Sequence, residues 1–313
     1  MFLGETKRLI KRYLHPLYIA YYQIYTFYCK KYPRRVVNKR YKHRFRRSID
    51  WNSPKEMNEK IIWMQFNGDT SKWSELADKY KAREYLKSKG YNDILVPLLG
   101  VWRKASDIDF DILPCSFALK TNHGFGDVII VKDKTTIDQD YIRHKMADAL
   151  QQTFGIITIE PHYTLIEPLI IAEQMLNQHS IYSTSVIDYK FYCASGKPIC
   201  CGVFYDRDPL THTTNSTFYD LMWRRHDEWK YALGKSQSKD IPKPINFNRM
   251  IQICEDLSHD FPFVRLDFYE VDNKLYFSEF TFTPAAYSGG SLSDEACYFI
   301  GEQININYRD GKS

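Results

Sequence analysis

Apolar and polar residues alternate most sharply over residues 263–283, FVRLDFYEVDNKLYFSEFTFT. Val264, Leu266 and Phe268 alternate with Arg265 and Asp267, and Phe280 and Phe282 alternate with Glu279, Thr281 and Thr283, the period-2 signature of strands with one buried face. Asp272-Asn273-Lys274 between them is turn-forming and predicts a β-hairpin. A three-residue loop there pairs Val271 with Leu275, and the same register sets Asp267 opposite Glu279 and Arg265 opposite Thr281.

Upstream, Ser53-Pro54-Lys55-Glu56 supplies a capping hydroxyl, an N1 proline and a first-turn acid for a helix over 57–66. A second helix is expected over 73–88, ending near Gly90. Residues 94–101 are strand-like, and 117–120 and 128–131 read as short strands either side of a 121–127 loop. A helix over 138–153, a buried strand over 169–175 and a hairpin of 188–193 with 199–205 follow. Residues 207–243 carry loop signals around Trp223 and Trp229, and 247–260 is a helix leading into the 263–283 hairpin. With no repeat or low-complexity linker, this is a continuous α+β body from about residue 50.

The first 50 residues differ. Within 13–29, Leu14, Leu17, Tyr18, Tyr21, Tyr25 and Tyr28 recur at helical spacing, but six tyrosines with His15, Pro16 and Gln23 make a poor hydrocarbon span, shorter than the ~20 apolar residues a crossing needs. Residues 1–50 hold fourteen Lys/Arg against Glu5 and Asp50, a net of +12, so the rest of the chain carries −7 of the overall +5. A cationic, tyrosine-rich helix suits an anionic cytoplasmic membrane surface, where each Lys or Arg contributes about 1 kcal/mol. A helix packed on the body with a solvated basic face fits the same pattern. No reading motif accompanies the charge, so nucleic acid is not an expected partner, and no small-residue cleavage site follows to mark a signal peptide.

The chain has 313 residues, 44% of them hydrophobic and 26% charged, which is globular and excludes disorder as a whole. Seven scattered cysteines without a CxxC spacing read as reduced thiols of a cytoplasmic protein, peripheral to the inner membrane if the arm binds it, and argue against structural zinc.

Candidate chemistry centres on the hairpin, whose pairing brings two carboxylates to a Cβ spacing of about 5 Å beside a cation. Like charges this close repel unless something positive lies between them, and Mg²⁺ serves carboxylates that also face phosphates. An ordinary sheet with its acids in water has the same alternation. A strand ending in Lys120 before Gly124-x-Gly126 gives a cation and small residues whose N–H groups could approach a phosphate, although a plain hairpin turn reads alike and the P-loop spacing is absent. His123 reads on its own as a loop hydrogen-bonder.

Taken in order, WNSPKEMNEKIIWMQF, LADKYKAREYL, LVPLLGVW, FALKTNHGFGD, LIIAEQML, IDYKFYCASGKP and FPFVRLDFYEVDNKLYFSEFTFTP resemble the TupA-like branch of the ATP-grasp superfamily, named for teichuronopeptide synthesis, over roughly residues 50–290. The resemblance implies an ATP-grasp fold of two α+β subdomains clasping ATP: a basic helical arm (1–50), a helical lead-in (51–115), a subdomain with the Gly loop (116–172), and one with the hinge and metal hairpin (173–313). It implies Arg83 and Lys120 as phosphate-contacting cations and His123, Gly124 and Gly126 in the loop over the phosphates. Glu173, Gln174, Met175 and Leu176 would form the adenine hinge, and Asp188 and Lys190 further nucleotide contacts, Asp188 at the ribose. Asp267, Glu279 and Thr281 would bind Mg²⁺, and Arg265 would steady the transferred phosphoryl group. Thr281 replaces an asparagine common in the superfamily, and Phe125 a small loop residue. The implied activity is ATP-dependent carboxylate–amine ligation through an acyl phosphate, joining an amino acid to a hexuronic acid of a cell-surface polysaccharide. Two rivals stand beside it. One is a glycosyltransferase with Asp206-Arg207-Asp208 or Asp107-Ile108-Asp109 as its DxD motif, and the other a non-catalytic glycan-binding protein at the membrane.

Overall fold

Two wholly antiparallel sheets organise the chain, seen in a computed structural model that describes residues 15–208, 211, 213–231 and 238–308. The first has the order β1-β4-β2-β3, from β1 Leu98–Trp102, β2 Phe117–Thr121, β3 Ile129–Val131 and β4 Ile170–Gln174. The second has the order β7-β6-β5-β8-β9, from β5 Asp188–Ala194, β6 Lys197–Tyr205, β7 Asn215–Asp220, β8 Phe263–Val271 and β9 Lys274–Thr281. Eight α-helices are described: α1 His15–Lys31, α2 Pro33–Phe45, α3 Met57–Asn67, α4 Ser71–Ala77, α5 Lys81–Ser88, α6 Gln139–Gln151, α7 Phe247–Ser258 and α8 Asp294–Gln303.

Each sheet buries one face against helices. Phe117 and Leu119 of β2 and Ile170 and Ala172 of β4 pack with Ile142, Met146 and Ala149 of α6. In the larger core, Phe191, Leu266, Phe268 and Phe280 meet Met250, Ile253 and Leu257 of α7, at the i, i+3, i+7 spacing of one helix face. Burying each such side chain contributes about 1.5–3 kcal/mol, so the apolar faces fix the register and hand the opposite faces to chemistry.

The 263–283 hairpin forms by a different route from the one its sequence suggests. Its turn is two residues long, with Asp272 and Asn273 at φ 51° and 61° as a type I′ turn requires, and Val271 pairs with Lys274 rather than Leu275. One extra residue in β9, Ser278, forms a bulge between the Phe268–Phe277 and Asp267–Glu279 pairs. The bulge cancels the shorter turn, so the expected pairs Asp267–Glu279 and Arg265–Thr281 both occur.

Other elements depart from expectation for local reasons. The cap of α3 is Glu56 rather than Ser53, its carboxylate accepting from the N–H groups of Asn58 and Glu59 at 2.9 and 2.8 Å. The helix expected over 73–88 breaks at Asp78, whose Oδ1 accepts from the N–H of Tyr80 and Lys81 and starts α5 afresh. Pro97 delays the first strand to Leu98–Trp102. Strand β7 lies within the 207–243 stretch that reads as loop, and its Ser216 and Thr217 are buried polar residues that mask the alternation.

The first 50 residues are not one unit. Tyr32, forced out of the helical region by Pro33 (φ −130°, ψ 50°), separates α1 from α2. Helix α2 buries Val37, Tyr41 and Phe45, and with Ile49 these belong to the larger core. Of the 13–29 stretch, Tyr13 and Leu14 lie outside the described residues. Among the described residues no helix is long and apolar enough to cross a membrane.

Candidate functional site

Strands β5, β8 and β9 carry the site as two rows across one face of the second sheet. Lys190, Asp267 and Glu279 are cross-strand partners in one row, and Tyr192, Arg265 and Thr281 in the next. This polar face does not look into water, as the simplest reading of the alternation would have it. Asp267 is 0% exposed, and the Glu279 side chain only 33%.

The buried charges are paired. Arg265 holds Asp267 bidentately, Nε to Oδ1 at 2.7 Å and Nη2 to Oδ2 at 2.6 Å, and Lys190 donates to the same Oδ2. Lys190 also meets Asp188 Oδ2 at 2.6 Å, where Arg207 Nη2 arrives at 3.3 Å. Arg265 Nη2 reaches Glu279 Oε1 at 3.2 Å and Thr281 Oγ1 at 3.0 Å, and the Thr281 hydroxyl donates to Glu279 at 3.1 Å. Burial alone would raise the Glu279 carboxyl, but Lys79, Lys190 and Arg265 outweigh it and hold it at about 2. Burial pushes the Asp267 carboxyl up, against the pull of Arg265 and Lys190.

The oxygen-only donor set suits a hard divalent cation. Glu279 is the accessible donor and Thr281 is buried beside it, whereas Asp267 can join only by releasing part of its hold on Lys190 or Arg265. Among the described residues, no group of three or more His, Cys, Asp or Glu is placed to hold a metal, so the candidate is this carboxylate pair with Thr281.

A second cluster of cations faces this one from the first sheet and the helices. Glu173, at the end of β4, divides its oxygens between Lys120 Nζ at 2.5 Å and Arg83 Nη1 at 3.0 Å, and Arg83 Nη2 also donates to the Val96 carbonyl at 2.6 Å. Arg83 thus ties α5 to the hinge strand. A cation that sequence reasoning passed over, Lys79, lies nearer the loop: its Nζ donates to the Gly124 carbonyl at 2.5 Å. Burial lowers the Lys79 pKa, Glu279 raises it and Lys120 lowers it further. Its signal was in LADKYKAREYL: Asp78 breaks the helix there and binds Asn122 Nδ2 at 2.8 Å, holding Lys79 beside the loop. A pocket between the sheets joins Lys79, Arg83, Lys120 and Glu173 to apolar Ala82, Leu86, Leu95 and Phe277.

The loop and hinge complete the arrangement. Gly126 has φ +82°, and a side chain at Gly124 would strike the Phe154 ring, so each glycine has a steric reason. His123 is buried edge-on to Phe154, with Nε2 3.1 Å from the Gln152 carbonyl, and burial lowers its pKa. It fastens the base of the loop, as its residue type alone suggests, and does not join the cation cluster. Beyond Glu173, the Gln174 N–H donates to the Pro97 carbonyl at 2.9 Å, Met175 is half-buried, and Leu176 packs with Val96, Val271 and Tyr276. Residues 173–176 therefore lead the chain from one sheet to the other. Asp188 is held by Lys190 and Arg207, next to the carboxylate rows. In the Asp206-Arg207-Asp208 triplet, Asp206 is taken by the Thr184 N–H at 3.0 Å and Lys239 Nζ at 2.7 Å and Asp208 accepts from the Thr211 hydroxyl, whereas Asp107 and Asp109 are exposed and accept from the Ser106 hydroxyl and the Asp111 N–H of their own loop.

Behind the site, His162 is buried between Trp73 and Tyr163 with neither ring nitrogen hydrogen-bonded, and burial pushes its pKa down to about 3. A depressed histidine pKa means that the unfolded chain takes up a proton below about 6.5 that the folded one refuses until about 3, so its contribution falls as pH drops through that window. At about 1.4 kcal/mol per unit, roughly 3 kcal/mol is lost by pH 4. His162→Leu is accordingly expected to narrow the gap in unfolding free energy between pH 7 and pH 4, read by urea denaturation. An equal gap in both proteins would refute the assignment.

No curated protein matches the chain. Among solved structures it is similar to the ATP-complexed D-alanine–D-alanine ligase from Bacillus anthracis, at 14% identity and a TM-score of 0.44, covering 75% of this chain and 64% of that one. It is also similar to the D-alanine–D-alanine ligase from Coxiella burnetii, at 13% identity and a TM-score of 0.44, covering 82% and 66%. The chain thus spans less than two thirds of the Bacillus enzyme's length. The family profile described as TupA-like ATPgrasp matches residues 59–305, which takes in both sheets, the Gly loop, the hinge and the hairpin. The chain belongs to the TupA-like ATP-grasp family, and its fold is ATP-grasp.

Proposed function

We propose that this protein is an ATP-dependent carboxylate–amine ligase that forms an amide through an acyl phosphate. The observation that supports it is a pocket lined by Lys79, Arg83, Lys120 and Glu173, with Phe277 and Ser278 of β9 on its wall, next in the chain to Glu279, whose cross-strand partner is Asp267. A carboxylate does not acylate an amine at neutral pH because oxide is a very poor leaving group. Attack of a substrate carboxylate oxygen on the γ-phosphorus of ATP releases ADP and gives an acyl phosphate. The amine nitrogen then attacks the acyl carbon, loses a proton and expels phosphate.

Positioning and charge neutralisation dominate such a transfer. Lys79 and Lys120 bind phosphate oxygens in both ground and transition states, and the glycines let the 124–126 backbone approach them. Arg265, fixed by Asp267 and reaching Glu279, faces the charge that develops on the transferred group. Mg²⁺, held by Glu279, Thr281 and Asp267, would neutralise phosphate charge. Leu86, Leu95 and Phe277 offer apolar contact to a base held at 173–176.

For the substrates we infer a hexuronic acid of a cell-surface polysaccharide as the carboxylate and an amino acid as the amine, in a cytoplasmic setting. The support is membership of a family named for teichuronopeptide synthesis. A glycosyltransferase is disfavoured by the engaged Asp206, and a purely glycan-binding role leaves the buried carboxylate rows without a purpose. The deciding experiment is an ATPase screen with uronic acids and a panel of amino acids, with mass detection of products. ADP release that requires both a uronate and an amine, with a product of amide mass, is expected. Turnover of a nucleotide sugar without ATP would overturn the reading.

A further inference from the structure

We propose that α1 and α2 together form a seat for an anionic phospholipid surface, with α1 lying in the headgroup zone and α2 against the lipid phosphates. The inference is independent of the ligase reading.

Helix α1 spends its inner side on the protein. The Tyr25 hydroxyl accepts from Arg40 Nη2 at 3.1 Å, and Cys29 is buried with Val36 and Ile159. Beside that contact, on the solvent side of the helix, Leu17, Tyr21, Ile24 and Tyr28 follow one another at intervals of four, three and four residues and stand 64, 64, 69 and 42% exposed. A helix packed on a water-soluble body turns charged and polar residues outward; this one turns an apolar and tyrosine stripe outward. Lys31 extends the stripe by three more residues, its ammonium 5.8 Å from the Phe27 ring and 5.4 Å from that of Tyr32.

Helix α2 repeats the 4-3-4 spacing with charge. Arg35, Lys39, Lys42 and Arg46 lie along its exposed side, opposite buried Val37, Tyr41 and Phe45. Among the described residues the ion pairs of this helix and its C-terminal turn are those of Arg44 and Arg47 with Asp294, so the four stripe cations have no carboxylate partner. A solvated helix of this composition would stabilise itself with i, i+4 acids, and α2 contains none.

Charge selects the occupant. A second copy of the chain would set one basic stripe against another, and the −7 remainder would be repelled from an anionic surface everywhere except at this +12 end. An anionic bilayer satisfies both helices: its phosphates take the lysines and arginines, and its headgroup layer takes tyrosine rings with their hydroxyls in water. The helix is too short and polar to cross, so the attachment is in the plane of the surface.

The test is co-sedimentation of the full chain with phosphatidylcholine vesicles, with and without phosphatidylglycerol, beside Lys39→Glu/Lys42→Glu and Leu17→Ser/Ile24→Ser. All four of these side chains are exposed, so melting curves should match and only binding should change. Binding is expected only with phosphatidylglycerol, weakened on the order of a hundredfold by the double charge reversal and roughly tenfold by the serines. Salt should reduce it in part, because it screens charge and leaves apolar burial intact. Equal binding to neutral vesicles, no binding to anionic ones, or unchanged binding in both variants would overturn the proposal. So would a lipid-free dimer that the serine variant dissolves.

Discussion

Glu279→Gln is expected to lower ATP turnover by about three orders of magnitude while the protein stays folded, whereas Asp267→Asn should abolish turnover and also destabilise the fold by about 3–5 kcal/mol. The two acids sit opposite one another on β8 and β9 but in different surroundings. Glu279 is one-third exposed and shares Arg265 with Thr281, so an amide of the same shape keeps most contacts and costs about 1 kcal/mol in a partly screened position. What it loses is the charge that a metal-bound phosphate chemistry needs. Asp267 is fully buried and is the carboxylate common to Arg265 and Lys190. Its amide would leave two cations undercompensated out of water. ATPase assays with Mg²⁺ and urea denaturation of both variants separate the effects. Near-normal turnover in Glu279→Gln would sink the metal assignment, and an unchanged denaturation midpoint in Asp267→Asn would sink the buried network.

The difference between these two acids marks where sequence stops informing. Alternation places Asp267 and Glu279 on one face, and cross-strand pairing places them together, because both depend on local spacing. Whether that face is wet depends on what the other sheet and Lys79 bring over it, which spacing along β8 and β9 does not contain. The turn shows the same limit: of Asp272, Asn273 and Lys274, the first two adopt the left-handed conformation, and the bulge that restores the register falls at Ser278, a residue with no distinguishing feature in sequence. The order of Lys120, the Gly loop and Glu173 was legible, since β2 alternates and β4 begins as a continuous apolar run. Lys79 was not legible, because only the helix break at Asp78 brings it to the loop, where it donates to the Gly124 carbonyl, while Arg83 pairs with Glu173. Strand β7 and helices α2 and α8 were not legible. Buried Ser216 and Thr217 conceal the first, and a high density of Lys and Arg conceals the apolar face of α2.

That concealed face sets the second expectation: a chain starting at residue 32 should fold, and a chain starting at residue 51 should not. Sequence alone reads residues 1–50 as one basic arm, but the break at Tyr32 divides it physically. Removing α1 costs the contacts of Cys29 with Val36 and Ile159 and the Tyr25–Arg40 bond, about 1–3 kcal/mol in total. Removing α2 as well strips Val37, Tyr41, Phe45 and Ile49 from the larger core, together with the Arg44 and Arg47 contacts to Asp294 at the start of α8. At about 2–4 kcal/mol for each large buried side chain, the loss is roughly 10 kcal/mol, comparable to the whole stability of a typical domain. It also leaves exposed the core residues these side chains cover, so aggregation should follow. Gel filtration and circular dichroism melting of the two shortened chains read this directly. The first is expected to elute as a folded protein with a modestly lowered melting temperature and to retain ATPase activity, and the second to show no cooperative transition. Cooperative melting of the chain starting at residue 51 near that of the full protein would show that α2 rests on the body without supporting it.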